Sequence, residues 1–212
     1  MTADFEVLLK QTMGLDAASI GSSAIERAVQ QRLAACGLKD DGAYLDRVRA
    51  SAEEAQELIE EVVVPETWFF RDREAFATLA RIVYEDWLRI HPEGVLRVLS
   101  LPCSTGEEPY SMAMALLDAG IPTDRFRIDA LDISARSLTQ ARRAVFGRNS
   151  FRGGELGFRE RYFTSEGTGW RLSEAVKKQV TFHRGNILGA RLQPGGDVYD
   201  VIFCRNLLIY FD

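Results

Sequence analysis

The chain has 212 residues, 46% of them hydrophobic and 27% charged, which excludes a disordered chain and fits one large globular domain or two small ones. No apolar run approaches the ~18–20 residues of a membrane span, and the opening Met1-Thr2-Ala3-Asp4-Phe5-Glu6 is acidic where a secretory leader is basic, so a cytoplasmic protein without membrane insertion is expected. The net charge of −5 is uneven: residues 1–64 carry 6 Lys/Arg against 12 Asp/Glu, and residues 65–212 carry the other 20 against 19, a balance that excludes a basic nucleic-acid-binding surface.

Taken in chain order, residues 1–64 read as a helical domain. Phe5, Val7, Leu8 and Leu9 begin an apolar face. Ser22 or Ser23 can cap a helix whose apolar positions include Ile25, Ala28, Val29 and Leu33, and Gly37 can close it in a left-handed conformation. Tyr44, Leu45 and Val48 start another helix, and Ala52–Val62 is built from good helix formers. Pro65 ends the pattern, and residues 62–67 are expected to be extended, because a residue before proline avoids the helical region. Residues 65–71 read as a linker.

From residue 72 onward the texture is strand–helix alternation. An amphipathic helix from Asp72 to about Ile90 precedes a strand at 95–101, a helix at 111–117, a strand at 126–131, a helix at 135–144 and a strand at 198–204. Alternation of this kind predicts an α/β domain with a mostly parallel sheet and helices on both faces. Residues 162–180 break it with a predicted antiparallel excursion around Gly167-Thr168-Gly169, and Val180–His183 is expected to rejoin the main sheet.

Ligands of open α/β sheets bind at the carboxyl ends of the strands, so four turns are candidates. The first, Leu101-Pro102-Cys103-Ser104-Thr105-Gly106-Glu107-Glu108-Pro109, holds a single glycine, Gly106, that permits close backbone approach, and Thr105 and Glu108 at capping-box spacing. A dinucleotide would want G-x-G-x-x-G here, with bare amides facing a pyrophosphate. Two carboxylates, Glu107 and Glu108, suit instead a cationic ligand without phosphate, such as S-adenosylmethionine; the alternative is that they only complement the helix dipole. In the second turn Asp132 can accept from ribose hydroxyls or simply cap the next helix. In the third, Asn186, followed by Ile187, can read an adenine edge or serve turn chemistry. The fourth runs a buried strand through Cys204 into Arg205 and Asn206, with Tyr210 able to return to the pocket. A fifth element, Thr67-Trp68-Phe69-Phe70-Arg71, sets a guanidinium beside three aromatics, where it can clamp a carboxylate or lie on the helix surface. The three cysteines and two histidines show no ligand spacing, so no metal is expected, and the cysteines read as buried apolar groups.

The stretches 67–72, 104–111, 130–133 and 202–212, in this order, resemble the chemotaxis receptor glutamate methyltransferases, the CheR family, and the opening residues are similar to its surface-sensing, biofilm-signalling branch. The resemblance implies an N-terminal all-helical domain (1–64), a linker contributing to the site (65–71) and a Rossmann-like class I methyltransferase domain (72–212) with a β subdomain at about 162–180. It implies S-adenosylmethionine held near Thr67, Arg71, Gly106, Glu107, Glu108, Asp132, Asn186, Ile187, Cys204, Arg205 and Asn206, with Arg71 and Tyr210 as catalytic residues and S-adenosylhomocysteine as product. Which of Glu107 and Glu108 meets the ligand stays open. Pro65 departs from the asparagine that family members often carry.

The implied reaction methylates glutamate side chains of a chemoreceptor's cytoplasmic helical bundle. Family members dock that bundle through basic side chains of the helical domain; here Arg27, Arg32, Lys39, Arg47 and Arg49 are the candidate stripe, and a solvated mixed-charge face is the alternative. The family's sheet continues beyond residue 212, so a C-terminally truncated chain is expected, with self-association through an exposed strand edge or weak cofactor binding. The competing readings are a non-catalytic adenosylmethionine- or receptor-binding regulator, a nicotinamide enzyme on a similar fold, and a small-molecule methyltransferase.

Overall fold

The computed structural model describes residues 2–14, 17–189 and 198–207. Two compact units are present, one of Met1–Val64, Asn186–Leu192 and Arg205–Asp212, the other of Pro65–Gly185 and Gln193–Cys204.

The first unit is helical: α1 (Thr2–Met13), α2 (Ala17–Ile20), α3 (Ser22–Ala35), α4 (Asp41–Ala50) and α5 (Ala52–Val62). Its core is written at helical spacing, Phe5, Leu9 and Met13 on α1 and Ile25, Ala28, Val29 and Leu33 on α3, closed by Tyr44, Val48, Leu58, Ile59 and Val62. The end of α3 is as expected. Gly37 takes a φ of 68°, its amide donates to Ala34 O, and that of Leu38 donates to Leu33 O, both at 3.0 Å, the paired bonds of a Schellman turn. Its start differs. The helix begins at Ser22 after a Gly21 cap, with no side-chain capping bond; the serines lie inside the first turn, where neither can serve as the cap. Side-chain caps instead open α4, where Asp40 accepts from the Ala43 amide at 2.8 Å, and α5, where Ser51 accepts from the Glu54 amide at 3.1 Å.

Glu54 is the polar centre of this unit. It is 6% exposed and accepts two hydrogen bonds from Arg32 at 3.0 Å each, one from the Tyr44 hydroxyl at 3.0 Å and one from Cys36 Sγ at 3.3 Å. Burial acts to raise its pKa, but the bonds from Arg32, Cys36 and Tyr44 outweigh burial and hold it below the usual value. Arg47 lies 3.9 Å from the same carboxylate. Two members of the expected basic stripe, Arg32 and Arg47, are therefore engaged by Glu54.

The second unit opens with α6 (Arg73–Ile82), a π turn (Val83–Trp87) and α7 (Leu88–Ile90), where the sequence predicts one uninterrupted helix. Then follow β1 (Leu96–Ser100), α8 (Glu107–Asp118), β2 (Phe126–Asp132), α9 (Ala135–Arg143), β3 (Val145–Phe146), a 3-10 turn (Arg148–Phe151), α10 (Gly157–Tyr162), β4 (Phe163–Glu166), β5 (Gly169–Leu172), α11 (Glu174–Lys177), β6 (Val180–Arg184) and β7 (Val201–Phe203). The main sheet has the order β6-β2-β1-β7, with every pair parallel. Leu96, Val98 and Leu99 of β1 and Phe126, Ile128, Ala130 and Leu131 of β2 are buried, the near-continuous apolar run of strands covered on both faces.

The small antiparallel sheet has the order β3-β5-β4. The hairpin around Gly167-Thr168-Gly169 lies where the sequence predicts it. The excursion is wider at its start and shorter at its end than residues 162–180: β3 joins from residues 145–146, and 174–177 form α11. Two residues are too short a strand to show a period. Phe69 locks this sheet to the linker, its ring 4.8 Å from Phe146, 5.2 Å from Phe151, 5.8 Å from Phe158 and 5.1 Å from Phe163. Among the described residues, no helix is long and apolar enough to cross a membrane.

Candidate functional site

In the α/β unit the parallel strands deliver their carboxyl ends to one edge, where β1, β2 and β7 finish at Ser100, Asp132 and Phe203. The turn after β1 passes through Ser104 and Gly106, both at positive φ (48° and 95°), into the first turn of α8. Gly106 is required there by the protein's own packing. A Cβ on it would lie 2.9 Å from Ala141 Cβ and 3.2 Å from both Phe182 Cζ and Tyr110 Cε2. The close approach expected of this glycine is made by side chains of α9, β6 and α8. The expected capping box is not formed: Gly106 is the helix cap, and the Thr105 hydroxyl donates to Glu107 at 2.6 Å.

The two adjacent glutamates, equivalent in the sequence, part company in the structure. Glu107 is 2% exposed. Its carboxylate accepts from the hydroxyls of Thr105 and, at 2.7 Å, Ser150, and burial pushes its pKa up against the lowering effect of those bonds. Its backbone carbonyl accepts from the Ser111 hydroxyl at 2.6 Å, and that oxygen accepts from the Phe70 amide at 2.9 Å. Glu107 thus joins the β1–α8 turn, the linker and the 148–151 turn. Glu108 is half-buried and accepts from the Ser100 hydroxyl at 2.8 Å. Burial pushes up the thiols of Cys103 and Cys204, and the negative field of Glu108 acts on both in the same direction, joined at Cys103 by that of Asp132. Glu108 and Asp132 therefore lie within electrostatic reach of Cys103, and Glu108 within reach of Cys204.

Asp132 is 5% exposed. One oxygen accepts from the Ser104 amide at 2.7 Å and the other from the Ser134 amide at 2.9 Å, so it ties the β1 turn to the β2 turn. The cap of α9 is Ser134, which accepts from the Ser137 amide at 2.9 Å.

The linker follows the same logic. The Phe69 amide donates to Ser150 O at 2.9 Å, and the Phe70 amide to Ser111 as above, fixing Thr67–Arg71 beside the first turn of α8. Arg71 lays its guanidinium 4.6 Å from the centre of the Trp68 ring and donates to Glu66 O at 3.0 Å. Phe70 and Asp72 adopt positive φ values of 55° and 57°, which non-glycine residues do at a cost of order 1–3 kcal/mol each; the bonds to Ser111 and Ser150 hold the segment against that strain.

Gly106, Glu107, Glu108, Asp132 and Cys204 are thus brought together, with Thr67 and Arg71 on the adjoining linker. Asn186, Ile187, Arg205 and Asn206 fall in the helical unit. There the Asn186 amide donates to Thr12 O, and its carbonyl oxygen accepts from the Leu188 amide at 3.0 Å. Tyr210 lies outside the described residues. Sequence reasoning missed Ser111 and Ser150. Ser111 sits four residues after Glu107, a helical spacing that could have signalled its bond; Ser150 is 43 residues away and left no local signal.

The donor set fits S-adenosylmethionine chemically. A half-exposed carboxylate and a second one anchored by amides match an ammonium group and ribose hydroxyls, and the one-glycine turn offers no nest for a diphosphate. Among the described residues, no group of three or more His, Cys, Asp or Glu is arranged to hold a metal.

A parallel sheet with acidic strand tips, joined in the chain to a helical unit, defines a nucleoside-binding α/β protein of the methyltransferase type. The chain belongs to the CheR methyltransferase family: residues 65–212 match the CheR methyltransferase SAM-binding domain and residues 3–63 the CheR methyltransferase all-alpha domain. It is 55% identical over 212 residues to the probable biofilm formation methyltransferase WspC of Pseudomonas aeruginosa, covering 100% of this chain and 50% of that protein. It is 52% identical to WspC of Pseudomonas putida over 204 residues, 96% of this chain and 48% of that one. The chemotaxis protein methyltransferase of Salmonella typhimurium is 34% identical over 213 residues, 97% of this chain and 71% of that protein. The chain spans about half the length of the two WspC proteins.

Proposed function

We propose that this protein binds S-adenosylmethionine across the tips of β1, β2 and β7 and transfers its methyl group to glutamate side chains of a methyl-accepting, chemoreceptor-like protein in the cytoplasm. The observation that carries the reading is the separation of the two adjacent glutamates: Glu107 is sealed into the protein while Glu108 stands half-buried at the end of β1, its negative field acting on Cys204. A dinucleotide enzyme has no use for a carboxylate there; a cationic donor does.

When bound, S-adenosylmethionine supplies an electrophilic methyl on a sulfonium and a good leaving group. Glu108 meets the positive amino-acid end, and Asp132 orients the ribose. The acceptor carboxylate, with an ordinary pKa of about 4.3, is already ionised at neutral pH, so no general base is needed. Arg71 orients it, its guanidinium steadied by the Trp68 ring. Positioning and exclusion of water can supply ~7–11 kcal/mol of the barrier. Tyr210 is proposed to line the methyl channel. The likeness to the probable biofilm formation methyltransferases WspC supports an acceptor in a biofilm-linked system.

The test is transfer of labelled methyl from S-adenosylmethionine by the full-length protein to cytoplasmic fragments of candidate receptors. Base-labile label on glutamate is expected. Absence of label, or label stable to base, overturns the assignment.

A further inference from the structure

The linker that carries Arg71 is held in a strained shape by bonds that meet at one residue. Phe70 and Asp72, on either side of Arg71, both take positive φ, so the segment does not rest where it would by itself. The Phe69 amide donates to Ser150 O at 2.9 Å, and the Ser150 hydroxyl donates to the Glu107 carboxylate at 2.7 Å. The Phe70 amide donates to the Ser111 hydroxyl, which donates to the Glu107 carbonyl oxygen. Two successive linker amides are thus fastened, by separate routes, to the residue that precedes Glu108.

Ser150 is itself fixed from behind. It is 7% exposed, its amide donates to Gly147 O at 3.1 Å, and the neighbouring Phe151 ring lies 5.2 Å from that of Phe163 and 5.0 Å from that of Trp170 in the small sheet. A buried carboxylate carries a desolvation penalty that apolar side chains filling the same space avoid. What the polar arrangement adds is direction, because hydrogen bonds set distance and angle where apolar contacts let segments slide. Methyl transfer needs that precision: a misplacement of about 1 Å can lower a rate roughly a hundredfold.

Resting on the reading that Arg71 orients the acceptor, we infer that Ser150 is a positioning residue for methyl transfer. Its carbonyl fixes the linker and its hydroxyl fixes Glu107, so one residue sets the acceptor-orienting segment against the donor-binding first turn of α8. Its action runs through Phe69 and Glu107, and it is felt in the rate of transfer, not in the binding of the donor.

The experiment uses the full-length protein and compares wild type with Ser150→Ala, which removes the hydroxyl and keeps the carbonyl, and with Ser150→Thr, which keeps both. Turnover on a receptor fragment, affinity for S-adenosylhomocysteine and exchange of backbone amides are measured. In Ser150→Ala turnover is expected to fall roughly 10–100-fold, with affinity for S-adenosylhomocysteine within about twofold of wild type. The Phe69 and Phe70 amides are expected to exchange faster, and those of Val98 in β1 and Ile128 in β2 at the wild-type rate. Ser150→Thr is expected to keep more of the turnover than Ser150→Ala. A Ser150→Ala protein with wild-type turnover overturns the inference, as does Ser150→Thr with no more turnover than Ser150→Ala. Turnover that falls together with S-adenosylhomocysteine affinity, or with equal acceleration of the strand amides, overturns it too, since either marks a general loss of structure. So does a fall in turnover with Phe69 and Phe70 exchange unchanged, since the effect then bypasses the linker. Each of these results leaves the donor and acceptor assignments standing. Wild type that binds S-adenosylhomocysteine but methylates no glutamate overturns the inference and the acceptor assignment together, and wild type that binds none overturns the donor assignment as well.

Discussion

Replacing Glu107 and Glu108 separately by glutamine should produce two unlike proteins. Glu108 is half-buried, with the Ser100 hydroxyl at 2.8 Å. Glutamine keeps the shape and removes the charge. The loss of one charge-assisted bond to a bound ammonium is worth about 1.5–3 kcal/mol, so S-adenosylmethionine should bind Glu108→Gln roughly 10–100-fold more weakly, with thermal stability near wild type. Glu107 is sealed between the hydroxyls of Thr105 and Ser150, and an amide can pair with both. Affinity in Glu107→Gln should stay within about twofold of wild type. Its signature is in stability against pH. Burial raises the folded-state pKa of Glu107, so the stability linked to its proton is complete below the unfolded pKa of about 4.3 and is lost as pH rises through the raised folded value. Glutamine does not titrate, so Glu107→Gln should gain on wild type as pH goes from 4 to 8. Isothermal titration and melting curves at both pH values read the two effects. Equal loss of cofactor affinity in the two variants would refute the division of labour.

In the helical unit, Glu54→Ala leaves Arg32 and Tyr44 without their shared acceptor, and removing one member of a buried ion pair costs about 3–5 kcal/mol; urea unfolding should show it. The folded pKa of Glu54 is lowered, so its contribution is present above about pH 4.3 and lost as pH falls through the folded value. Wild-type stability should therefore drop on that acid limb more steeply than that of Glu54→Gln, measured by melting temperature. Asp132→Asn can accept from only one of the Ser104 and Ser134 amides and turns its NH2 toward the other; about 1–3 kcal/mol of stability and most cofactor affinity should go together, and intact affinity would make Asp132 a purely structural tie. Gly106→Ala must place a Cβ 2.9 Å from that of Ala141 at a φ of 95°, and should cost about 1–3 kcal/mol in thermal unfolding.

Much of the architecture was legible because it rests on local periodicity. The α3 face from Ile25 to Leu33, the Gly37 stop, the apolar runs of β1 and β2 and the turn at Gly167-Thr168-Gly169 are short-range signals, set by 3.6- or 2-residue repeats and by the freedom of glycine at positive φ. The candidate strand-tip residues Glu108, Asp132 and Cys204 could also be named from sequence, because parallel strands deliver their carboxyl ends to one edge whatever the details. Sequence alone did not separate Glu107 from Glu108: neighbours in a first helical turn point about 100° apart, and which one faces the interior depends on Ser150, 43 residues on. Nor did it reveal that Gly106 makes room for Ala141 and Phe182, that β3 joins the small sheet, or that Arg152 meets Trp68. Those facts depend on contacts between distant segments, whose closure is set by the packing of the whole core around Phe69 and leaves no trace in a window of a few residues.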